Sequence, residues 1–155
     1  MFQARTVDEI ENARRGIDRV SHLSDSIVKI GPFGLGVDGV LAWVPIVGTV
    51  YSAVAGVVLV GLGWRARVSF SSLMSAITLL TTRTAVTAAG ETLFLPTELL
   101  VDFFRAHKWA ADALIKSIDN TLYVEGRRHP SNPEYDDVRA RVRSGEERRR
   151  VVFLG

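Results

Sequence analysis

Residues 46–64 read Ile-Val-Gly-Thr-Val-Tyr-Ser-Ala-Val-Ala-Gly-Val-Val-Leu-Val-Gly-Leu-Gly-Trp, 19 positions without a charge. As a helix the stretch is about 28 Å long, close to the apolar thickness of a bilayer. It lies inside a longer charge-free run, because 26 residues separate Asp38 from Arg65. A soluble domain seldom needs so long a run, so the sequence predicts a membrane location. Gly48, Ser52 and Gly56 fall four apart on one helical face. Small side chains at that spacing let two helices approach closely in lipid. Trp64, Arg65 and Arg67 end the run with an aromatic and two cations, the composition of an interface anchor.

Charge is unevenly placed on both sides of this stretch. Residues 1–33 carry 5 cations and 5 carboxylates, residues 34–104 only 7 charges of either sign, and residues 105–155 carry 11 basic and 8 acidic groups. The net charge of +2 over 155 residues argues against a nucleic-acid binder relying on bulk positive charge. The absence of cysteine excludes a disulfide scaffold, a thiolate metal site and a cysteine nucleophile.

Working outward, residues 69–90 form a second candidate span, rich in Ser, Thr, Ala and Leu, with Arg83 inside it. Arg83 either snorkels to headgroups or marks the turn of a re-entrant hairpin. Upstream, Thr6-Val7-Asp8-Glu9 fits a capping box. Val7, Ile10, Ile17, Val20, Ile27 and Ile30 follow at helical spacing. The pattern predicts an amphipathic helix over residues 7–30, closed by Gly31-Pro32. Downstream, Leu99, Phe103, His107, Ala110, Leu114 and Ile118 form one stripe, predicting a long helix over 96–123. Arg127 to Pro133 reads as a breaker-rich linker. Residues 134–150 read as an extended or weakly helical charged tail, and Val151 to Leu154 as a small apolar tag. The expected organisation is all-α: an N-terminal amphipathic helix over 1–33, a membrane-embedded helical domain with a transmembrane hairpin over 34–123, and a polar tail over 124–155. Basic residues number 5 before the two spans, 2 in the loop between them and 11 after Phe104. That count places both termini in the cytoplasm and the loop across the membrane.

Little points to chemistry. His22, His107 and His129 lie in three separate segments and supply no converging ligand set. Gly34-x-Gly36-x-x-Gly39 spells a dinucleotide fingerprint but follows no predicted strand, so it marks a turn instead. No cofactor or metal is expected, and no enzymatic activity. Asp38, Arg83, Glu91 and Asp102 are the polar groups expected within the membrane-embedded segment. Their bland roles are capping, pairing and snorkelling, and their sharper one is an ion or proton path.

The order of certain motifs carries a resemblance. Gly34-Leu35-Gly36-Val37-Asp38 is followed by Trp43-Val44-Pro45-Ile46-Val47-Gly48, an apolar span, and later Asp102-Phe103-Phe104-Arg105-Ala106. Over roughly residues 17–118 this resembles the domain of unknown function 4112 family of small bacterial membrane proteins. That family shows Gly-x-Asp, Pro-x-x-Gly-Asp, and a later aspartate with an aromatic, a basic residue, Ala and Asn. Here Thr49 stands where the first Pro-x-x-Gly motif carries aspartate. Pro96 leads into Thr97, Glu98, Leu99 and Leu100, and His107 replaces the asparagine. The resemblance implies a helical membrane protein without a known activity. The expected role is a small accessory or structural subunit of the bacterial inner membrane, packed against a larger membrane protein complex and the bilayer. The arginines of the tail (Arg139, Arg141, Arg143, Arg148, Arg149 and Arg150) offer a contact for anionic lipid. The alternative role is a self-associating channel or transporter-like protein using Asp38, Arg83 and Glu91.

Overall fold

The computed structural model describes residues 3–29, 44–91 and 98–155, with side chains placed over 3–22, 53–82 and 106–155. Four helices form an up-down bundle: α1 Val7–Lys29, α2 Val44–Arg65, α3 Phe70–Glu91 and α4 Glu98–Asp119. α4 packs on α1, α2 and α3, and α2 also packs on α1 and α3. The chain then turns into strand β1 Thr121–Val124, helix α5 Pro133–Ser144 and strand β2 Arg150–Phe153. The fold is mostly helical, and its only sheet among the described residues is the parallel β1–β2 pair, with Thr121 opposite Arg150 and Val124 opposite Phe153.

Local sequence explains the helix ends. Thr6 Oγ1 accepts the Glu9 N–H at 3.2 Å, and the Glu9 carboxylate reaches back to the Arg5 N–H at 2.7 Å. The expected capping box is present, with its return bond one residue earlier than Thr6. Pro45 falls in the first turn of α2, where its missing N–H has no intrahelical partner to lose. No kink is needed there.

The core runs along the four helices. Ile10, Ala13 and Ile17 of α1 meet Ala110, Ala111, Leu114 and Ile118 of α4, with Leu59 of α2 and Leu73, Ala76 and Leu80 of α3 completing it. The predicted stripes of α1 and α4 are therefore the buried ones wherever side chains are described, and His107 is buried with its stripe. Val20 is only partly buried, and Val7 stays exposed.

The tail departs from the extended reading. The predicted long helix stops at Asp119, and Thr121 to Val124, with β-branched Thr121 and Val124 and aromatic Tyr123, become strand. The breaker-rich linker ends in a helix start: Asn132 Oδ1 accepts the Glu134 N–H at 3.1 Å, and Pro133 occupies the first turn. Gly145, at φ 79°, caps the other end of α5. The apolar tag is strand β2 plus the fully buried Leu154.

The expected spans 46–64 and 69–90 coincide with α2 and α3, yet among the described residues no helix is long and apolar enough to cross a membrane. The outer face of α3 carries Ser71, Ser75, Thr78, Thr81 and Thr82.

Gly63 sets a helix spacing, and Gly61 does not. A Cβ on Gly63 would stand 2.9 Å from a methyl of Leu114 and 3.4 Å from one of Leu73, and Leu114 is fully buried. Gly61 faces open space. Gly63→Val is expected to destabilise the fold by about 1–3 kcal/mol through overpacking. Gly61→Ala is expected to stabilise it by about 0.5–1 kcal/mol by restricting the unfolded chain and favouring helix. Chemical unfolding of the two variants against the parent checks both signs.

Candidate functional site

The turn between α2 and α3 gathers distant parts of the chain. Arg67 adopts a left-handed conformation, φ 52°, rare outside glycine. Its guanidinium donates to the carbonyls of Phe153 at 3.0 Å and Leu154 at 3.2 Å. Three successive carbonyls at this helix end are each taken by a different segment. Arg65 O accepts the Ala4 N–H at 2.9 Å, Ala66 O accepts the Tyr123 hydroxyl at 2.7 Å, and Arg67 O accepts Arg150 Nη2 at 2.7 Å. Burial pushes the Tyr123 phenol above its ordinary range.

This geometry corrects the expected topology. A hairpin whose turn lies across a membrane from both termini cannot also bond that turn to Ala4, Phe153 and Leu154. The turn, the segment preceding α1 and strand β2 share one end of the bundle. Arg67, expected as a lipid-interface anchor, instead directs its guanidinium into the molecule. Arg65 stays half exposed, 3.7 Å from Glu9, and Trp64 remains 54 % exposed.

Of the expected helix-packing residues, Gly56 lies between α2 and α3, where a Cβ would rest 3.7 Å from Leu80, an ordinary contact. Gly48 and Ser52 lie on α2, but their side-chain positions fall outside the described residues, as do those of Arg83 and Glu91 on α3 and Asp102 on α4. Asp38 lies outside the described residues altogether. The closest helix approaches that are described involve Gly16, against Leu62, and Gly63. Spacing alone hid them, because it names a face and not the leucine opposite.

The outer face of α2 is the other conspicuous surface. Val54, Val57, Val58 and Trp64 form one stripe, with Val57 74 % exposed, and Phe70 at the start of α3 is 75 % exposed beyond it. The stripe carries no charge between Val54 and Trp64. Single exposed hydrophobics are ordinary on a protein surface, whereas these four share one face of a helix.

The tail arginines are partly engaged within the fold. Arg141 pairs with Asp137 and Glu147, and Arg149 holds Glu147 at 2.8 Å. Arg139 lies over the Tyr135 ring at 6.0 Å. Among the described residues, no group of His, Asp and Glu could hold a metal ion.

The apolar face of α2 lies beside a polar, tightly tied end of the helical bundle. The chain belongs to the family described as a domain of unknown function, DUF4112, whose model matches residues 13–114. That match covers the bundle from Ala13 to Leu114 and leaves out β1, α5 and β2. No curated protein and no solved structure matches the chain.

Glu147 fixes the approach to β2. Hydrogen bonds from the side chain and backbone of Arg149 hold its carboxyl down at about 2, against an ordinary value of 4.5. A depressed carboxyl contributes stability that is fully present above the unfolded value and is lost as pH falls through the folded one. The α5–β2 connection is therefore expected to hold at neutral pH and loosen between about pH 4.5 and 2. Glu147→Gln should remove that acid-dependent part of the transition, as followed by the Arg149 amide resonance.

Arg67→Ala should free β2 while leaving the bundle folded. Loss of two charge-assisted bonds is expected to cost about 2–3 kcal/mol. Amide exchange should then accelerate at Val151 to Leu154 well before α1 and α4 are affected.

Proposed function

We propose that this chain is a small accessory subunit seated at a membrane, packed against a larger membrane protein complex and without chemistry of its own. The observation that carries this reading is the uncharged, exposed stripe of α2. A helix apolar on its outer face as well as its inner one is suited to lipid or to a partner's apolar surface. The side chains at the inner face of α2 already pack on the bundle, so the outer stripe is what remains to be covered. The polar end of the bundle gathers Arg5, Arg14, Arg65, Arg67 and the arginines beyond Gly126. On the cytoplasmic side of a bacterial inner membrane, that end brings the remaining tail arginines near anionic lipid.

α1 does not share the membrane seat. It bears charges from Asp8 to Lys29, and each charge at a bilayer centre costs about 2.5–3.5 kcal/mol. The reading is therefore a bundle resting on the membrane by its α2 side. A self-associating channel would depend on Asp38, Arg83 and Glu91, whose side chains lie outside the described residues.

Fractionation of cells tests the proposal. The parent chain should sediment with membranes and co-purify at fixed stoichiometry with a larger complex. Val54→Glu with Val57→Glu should release it about a hundredfold or more into the soluble fraction, with its helix content kept. Thr78→Glu, on the outer face of α3, should leave the distribution unchanged. A soluble parent, or a double variant that stays with the membrane, would overturn the reading.

A further inference from the structure

We propose that the cavity between the start of α3 and the end of α4 is a binding site for a phosphate-type oxyanion. The cavity is about 390 Å³ and opens beside the α2–α3 turn. Two cations, Lys116 and Arg150, line it from different segments, and Ser71, Ser72, Ser75 and Asn120 add neutral donors. No carboxylate is among its lining residues, although the chain carries 17 acidic groups against 19 basic ones. A pair of cations without a carboxylate is thus a local excess of positive charge, the condition for holding an anion.

The floor is built and fixed. Ser117 and Thr121 are more than nine-tenths buried. Thr121 Oγ1 donates to Ser117 O at 2.8 Å, and Ser117 Oγ accepts the Ser69 N–H at 3.0 Å. Ser69 Oγ donates in turn to Ser72 Oγ at 2.7 Å, which orients the hydroxyls of the first turn of α3. The positive end of the α3 dipole adds to the two cations. Arg150 spends Nη2 on Arg67 O, and Lys116 forms no ion pair among the described residues.

Phosphate chemistry has two sources here. Phe70, 75 % exposed, sits between two lining serines, and Met74 is exposed next to Ser75. Apolar side chains beside a cationic, hydroxyl-lined hollow suit the headgroup of an anionic lipid, and the same hollow takes free phosphate. The oxyanion site does not rest on the membrane reading, since inorganic phosphate alone tests it.

The experiment titrates inorganic phosphate onto the full chain in non-ionic detergent and follows the Ser71 and Ser72 amides, against chloride at equal ionic strength. Saturable shifts with phosphate and none with chloride are expected. Lys116→Gln should weaken binding about tenfold, the effect of one charge-assisted bond. Arg148→Gln removes the same charge from an exposed site outside the cavity and should change it less than twofold. Vesicles of phosphatidylcholine with and without phosphatidylglycerol separate the sources. Phosphatidylglycerol-dependent binding that falls with Lys116→Gln identifies lipid as the ligand, and vesicle binding indifferent to Lys116→Gln identifies free phosphate. Absence of saturable phosphate binding, or equal weakening by the two variants, overturns the proposal.

Discussion

A helix end needs partners for its last carbonyls, and at the end of α2 those partners come from three remote segments. Ala4, Tyr123 and Arg150 take the carbonyls of residues 65, 66 and 67 in turn. Ala66 N and Val68 N close the helix on Leu62 O and Gly63 O, which leaves Arg67 in the left-handed region. A non-glycine residue there costs about 1–2 kcal/mol. Its own guanidinium offsets that cost by holding the carbonyls of Phe153 and Leu154. The turn, buried at Ala66 and Val68, is the point through which the N-terminal segment, the bundle and the β1–β2 pair are held together.

That constraint decides what the apolar residues of α2 can do. With the turn tied to both ends of the chain, α2 and α3 cannot act as a hairpin inserted apart from α1 and α4. The four helices pack against one another, and α1 bears charges from Asp8 to Lys29 in its sequence. The apolar stripe therefore works from the side of a bundle. A lateral surface of this kind suits a seat against a bilayer or an apolar partner, and it asks nothing of α1 that its charges forbid.

Much of the bundle was legible because burial and period agree. Ile10 and Ile17, then His107, Ala110, Leu114 and Ile118, repeat at helical spacing and are buried. The limits of α2 and α3 follow from Pro45 in a first turn and from the charges at Arg65 and Glu91. The closing unit was not legible. β1 and β2 are four residues each, too short for alternation to register, and their pairing spans the whole of α5. The start of α5 was written in Asn132-Pro133-Glu134, but the same residues also spell a loop. Arg67 misled for a physical reason. Composition sees a cation after an apolar run and cannot see that two carbonyls lie within its reach. The small-residue spacing pointed to Gly48, Ser52 and Gly56, and Gly56 does face Leu80 across α2 and α3, but the spacing could not name Gly63, the glycine under Leu114.

The family match and the chemistry of the surface divide along the same line. The matched residues, 13–114, contain the apolar stripe, the core of the bundle and the serines at the start of α3. Lys116, Ser117, Asn120, Thr121 and Arg150 lie beyond the match, and so does Tyr123. The cavity beside the turn therefore forms at a seam: hydroxyls and a helix start on one side, cations and a buried floor on the other. Arg150 belongs to both structures, since one of its nitrogens closes the turn while the residue lines the cavity. The same side chain therefore brings charge to the cavity and a bond that closes the turn.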